Sequence, residues 1–156
     1  MMGTVSAGVD RIVVGIDGSE ASAAALRWAA RLAAATGAEV LVVHVVEPPA
    51  FDVRPLGLPR AILNETGWRE ALAAEMEGTW CEPLVRAGVR HRIRVEEGPA
   101  GRCLAEGAGQ EHAGLVVTGR SRATRLAELV HGGVGAYVTH HAPCPVALIP
   151  VEGRAA

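Results

Sequence analysis

Three groups of residues in this sequence have types and spacings that bear on chemistry. Asp17-Gly18-Ser19 directly follows the apolar run Arg11 to Ile16, where a carboxylate could hold a ribose or adenine group or simply cap the next helix. Ser19 is explained by capping, since no G-x-S-x-G elbow surrounds it to make it a nucleophile. Arg120, Arg122 and Arg125 crowd one polar stretch ahead of Gly132, which is expected to open a helix whose N-terminus favours anions. Those arginines are either anion contacts or a solvated lid. His140, His141 and Cys144 could be drawn as a metal cluster, but a helix end followed by a strand accounts for them, and no metal ligands are assigned. His44 sits in an apolar strand and reads as a satisfied buried or rim residue rather than a base.

Composition removes several functions. All fifteen basic residues are Arg, so a Walker A phosphate loop and a Schiff-base enzyme are both excluded for want of Lys. The net charge of −2 lacks the basic excess of a nucleic-acid footprint. No apolar stretch approaches the roughly 20 residues of a membrane helix, and the first ten residues carry no leader pattern. Cys81, Cys103 and Cys144 are an odd, widely spaced set, which points to a reducing, cytoplasmic setting rather than a disulfide framework.

The elements that must position these residues alternate. With 156 residues and only 3% aromatics, the chain has room for one domain, expected over 8–151 between short flexible termini, with a core of Val, Leu, Ile and Ala. Arg11 to Ile16 is a buried strand. Glu20 to Thr36 is helical, with Leu26, Ala29, Ala30 and Ala33 on one face and Gly37 as its left-handed stop. Glu39 to Val46 is a nearly continuous apolar strand, and about Glu47 to Arg60 is a proline-punctuated surface excursion. Trp68, Leu72, Met76 and Trp80 then mark a helix that Pro83 must kink or end. His91 to Glu96 alternates like an edge strand, Gly98-Pro99 opens a third helix, and Leu115 to Thr118 is a fourth strand. Gly132 to His141 is a fourth helix and Pro145 to Pro150 a fifth strand. The class is α/β, a doubly wound five-stranded parallel sheet with helices on both faces. Ligands in such folds bind at the strands' C-terminal ends, which brings Asp17, His44, Val45 and the loop after Thr118 around one crevice. The apolar closing strand should pair with its counterpart across a two-fold axis.

Four stretches together resemble the universal stress protein family: Val13-Val14-Gly15-Ile16-Asp17-Gly18-Ser19, Val42-Val43-His44-Val45, Leu115-Val116-Val117-Thr118-Gly119 and His140-His141-Ala142-Pro143-Cys144-Pro145-Val146. The resemblance implies a Rossmann-like domain, a homodimer through the C-terminal strand, a regulatory rather than enzymatic task with an unknown protein partner and, in one branch, bound ATP. The site it implies comprises Gly15, Ile16, Asp17, Val45, Thr118, Gly119, Arg122, Gly132, Gly133 and Val134. ATP-binding members carry Gly, two residues, Gly, nine residues, Gly, then Ser or Thr; here those positions hold Gly119, Arg122, Gly132 and Gly133. Arg122 either crowds a phosphate or forks onto it, and Gly133 removes a hydroxyl. The alternative is an interaction module that binds no nucleotide, with a degenerate ATP motif.

Overall fold

Uninterrupted apolar runs rich in β-branched residues form strands that are covered on both faces, and this chain has three of them at the centre of its sheet. The computed structural model describes residues 8–46, 67–120 and 133–151. The expected excursion at 47–60, the flexible termini, Arg122, Arg125 and Gly132 lie outside the described residues. The elements in chain order are β1 (Arg11–Gly15), α1 (Glu20–Thr36), β2 (Glu39–Val46), α2 (Gly67–Glu75), a π-helical turn (Met76–Trp80), α3 (Glu82–Arg86), β3 (His91–Glu97), α4 (Ala100–Gln110), β4 (Leu115–Gly119), α5 (Gly133–His141) and β5 (Val146–Ile149). All pairings are parallel, in the order β3-β2-β1-β4-β5. The winding reverses between β1 and β4, which defines the switch point.

The alternation along each strand divides the core in two. Ile12, Val14, Val40, Val42 and Val117 face α1, Met76 and Leu84, whereas Val13, Leu41, Val43 and Val116 face Leu104 and Ala108 of α4 and Val138 of α5. The helical face expected for α1 is the buried one: Leu26, Ala29, Ala30 and Ala33 are each at most 3% exposed. Its stop is Gly37 at φ +77°, whose N–H donates to the Ala33 carbonyl at 2.8 Å.

The helix containing Met76 ends as Pro83 requires, by a route the periodicity does not reveal. A π-helical turn intervenes, closed by the Cys81 N–H donating to the Met76 carbonyl at 2.9 Å, and Pro83 falls in the first turn of the separate helix α3. The edge assignment of β3 holds, and its two faces split as read: Ile93 and Val95 pack inward, while Arg92 and Arg94 reach Glu111.

Candidate functional site: the cleft at the switch point

The ends of β1, β2 and β4 open onto a cleft of about 280 Å³ that also takes residues from the first turns of α1, α4 and α5. That volume lies at the low end for small-molecule sites. Its walls are mixed. Ile16, Val43, Val45, Ala100, Leu104 and Val134 are apolar, and Asp17, Ser19, Ser22 and Thr118 supply the polar groups.

Asp17 does not cap α1. Ser19 does, accepting the Ser22 N–H on Oγ at 3.2 Å, while the Asp17 carboxylate accepts the Ser19 N–H at 2.9 Å. The Asp17 N–H in turn donates to Ser22 Oγ at 3.3 Å, and Ser22 Oγ donates to the Ser19 carbonyl at 3.0 Å. Partial burial opposes ionisation of Asp17, but the hydrogen bonds from Ser19 and Ser22, with His44 nearby, outweigh it and hold the carboxyl below its ordinary value. The cleft therefore presents a fixed anion at its rim at neutral pH.

Thr118 contributes an unmet demand. The residue is 4% exposed, and its Oγ1 has no hydrogen-bond partner among the described residues. A buried hydroxyl without a partner costs about 1–3 kcal/mol, so a polar ligand atom at this place would recover that loss.

Two glycines of the motif have structural explanations. A Cβ on Gly119 would stand 2.5 Å from the backbone of Ala21, so the residue lets the first turn of α1 close onto the end of β4. Gly133 adopts φ +64°, where a hydroxyl-bearing side chain would be strained.

Seven of the expected site residues line the cleft: Gly15, Ile16, Asp17, Val45, Thr118, Gly119 and Val134. Gly133 is adjacent in sequence but does not line it. Ser22, Val43, Ala100, Leu104 and Gly135 line it without having been anticipated. The period of two along β2 could have given Val43, since it shares a face with Val45. His44 is turned to the opposite face, where Nδ1 donates to the Ile16 carbonyl at 2.8 Å and the ring meets Trp80 edge-on at 5.4 Å. It is the satisfied rim residue expected, not part of the cleft. Cys144 is half-buried and packs against the core cluster that contains Val116, and His141 Nδ1 donates to the Tyr137 carbonyl at 2.9 Å at the end of α5.

The strand order, the two covered faces and the cleft at the reversal define a doubly wound α/β protein. The chain belongs to the universal stress protein family, whose model matches residues 8–150. It is 30% identical over 149 residues to a universal stress protein of Methanocaldococcus jannaschii, covering 89% of this chain and 81% of that one. Among solved structures it resembles a universal stress protein in complex with cAMP (TM-score 0.68, 24% identity, 93% of this chain and 99% of the other). It also resembles an Arabidopsis thaliana family member with AMP bound (TM-score 0.58, 17% identity, 92% and 93%). At these identities the two structures speak for the fold. No helix among the described residues is long and apolar enough to cross a membrane.

Proposed function

We propose that this chain is a regulatory module that binds an adenine nucleotide in the cleft between the ends of β1 and β4, and does not turn it over. The observation that carries the reading is the Asp17 carboxylate, held ionised by Ser19 and Ser22 at the rim of a cleft at the switch point. A fixed carboxylate there suits ribose hydroxyls, and the apolar Val43, Val45 and Leu104 suit a base. Relatives of the same fold with cAMP and AMP bound add support. Monophosphates fit better than ATP, because Arg122 and Gly133 depart from the triphosphate motif. Against catalysis, the Ser19 and Ser22 hydroxyls nearest Asp17 are engaged in the helix cap.

Dimerisation through β5 is part of the same proposal. The strand is a sheet edge, and Leu148 on it, together with Val134 of α5, is an exposed large apolar residue. Calorimetric titration with ATP, ADP, AMP and cAMP tests the binding claim. Saturable binding of at least one adenine nucleotide, weakened in Asp17→Asn, is expected. No heat with any of the four would leave the nucleotide-independent interaction module, which the motif departures favour.

A further inference from the structure

Away from the cleft, the π-helical turn and the start of β3 bring together three metal-ligating side chains of different chemistry. Glu77 lies in the turn, Cys81 closes it, and His91 is the first residue of β3; a carboxylate oxygen, Sγ and a ring nitrogen all lie within 4.8 Å of one another. Nothing in the cleft uses them.

The orientation of His91 is already set. Its Nδ1 donates to the Val89 carbonyl at 3.0 Å, which leaves Nε2 facing Glu77 Oε1 at 2.8 Å. An outer-shell carbonyl on one ring nitrogen, with the second turned toward the other ligands, is the arrangement of metal-bound histidines. Nε2 is thus turned toward the Glu77 carboxylate, across the place an ion shared by the two would occupy. Exposure is graded across the group: Cys81 is fully buried, the His91 side chain is 12% exposed and that of Glu77 51%. An ion would enter past the carboxylate and keep its solvent-side position for water. Burial and the Glu77 carboxylate keep the metal-free thiol protonated, so a cation that binds Sγ must displace that proton into solvent.

We propose that Glu77, Cys81 and His91 form a tetrahedral zinc-class site with water as the fourth ligand, tying the π-helical turn to the edge strand β3. One thiolate, one imidazole and one carboxylate suit Zn²⁺ or Co²⁺ and do not suit Ca²⁺ or Mg²⁺, which take oxygen ligands. The site is independent of the nucleotide reading.

The test is a titration of the chelator-treated full chain with Co²⁺, followed by displacement with Zn²⁺. The expected result is a thiolate-to-cobalt charge-transfer band with tetrahedral d–d bands, saturating at one metal per chain and lost on adding Zn²⁺. Zinc should also raise the thermal midpoint. Cys81→Ser should remove the charge-transfer band, and Cys103→Ser and Cys144→Ser should retain it. Because Cys81 is buried and its variant can misfold, His91→Gln and Glu77→Gln provide the second arm. With native circular dichroism, His91→Gln should weaken cobalt by more than the roughly 10–100-fold that losing an outer-shell partner costs. No charge-transfer band in folded wild type at millimolar cobalt overturns the proposal. So does a band that survives Cys81→Ser, or an affinity unchanged in His91→Gln.

Discussion

The two ends of the sheet treat charge in opposite ways. At the N-terminal end, Glu111 gathers Arg11 at 3.4 Å and Arg92 at 2.8 Å, with Arg94 also hydrogen-bonded to it, and Arg92 turns its Nε to Glu39 at 2.7 Å. Arg11 and Glu39 face each other in the β1–β2 register. Hydrogen bonds from Arg92 hold Glu39 and Glu111 below their ordinary values, and Arg92 is raised in return. At the C-terminal end, among the described residues, Asp17 meets only the serines of its own turn and the field of His44, and Thr118 Oγ1 has no partner. Charges that answer one another build the fold, and polar groups left unanswered at a switch point are available to a ligand.

The largest effect expected is a limit on that contrast. Gly119→Ala would drive a Cβ into the backbone of α1 and should cost about 3 kcal/mol in urea unfolding, because backbone cannot swing aside as a side chain can. A cost below about 1 kcal/mol would show that the end of β4 is loosely packed.

Asp17→Asn sharpens the contrast next. It should weaken whichever adenine nucleotide binds by roughly ten- to a hundredfold, the loss of a charge-assisted hydrogen bond of about 1.5–3 kcal/mol. Stability should change far less. In wild type the affinity should stay level from neutral into mildly acid solution and fall only as pH drops through the depressed value of this carboxyl.

Glu111→Ala should do the reverse, lowering stability by about 1–2 kcal/mol while leaving nucleotide affinity unchanged. Its side chain is 14% exposed, so the loss should exceed that of a solvated surface pair. Glu39 and Glu111 are depressed in the folded state, so their contribution is fully present above the ordinary glutamate range and is lost as pH falls through the folded values. Acid titration of unfolding should accordingly be shallower in Glu111→Ala than in wild type.

The smallest effect is the most specific to the cleft. Thr118→Val removes a buried hydroxyl that has no described partner, so the ligand-free protein should gain up to about 1 kcal/mol while nucleotide binding weakens about two- to tenfold. A variant that loses stability would mean that the hydroxyl is already satisfied in the free protein.

Periodicity and punctuation were enough to determine the five strands, the buried face of α1 and the edge position of β3, because alternation and helical spacing are local consequences of backbone geometry. They also located the cleft, since a strand–helix alternation leaves few topologies and places the ends of β1 and β4 together, whereas most of its individual lining residues were named through the family resemblance. Tertiary structure decided the rest. The residue types alone do not distinguish Asp17 as an Asx-turn acceptor from Asp17 as a cap, and the hydrogen bonds of the closed turn with Ser19 and Ser22 do so. Gly119 reads as a phosphate-loop glycine until α1 is seen to press on it. The meeting of Glu77, Cys81 and His91 depends on a π-helical turn that shifts the helical register by one residue and on a strand ten positions beyond Cys81, and such non-local encounters leave no periodic trace in a sequence.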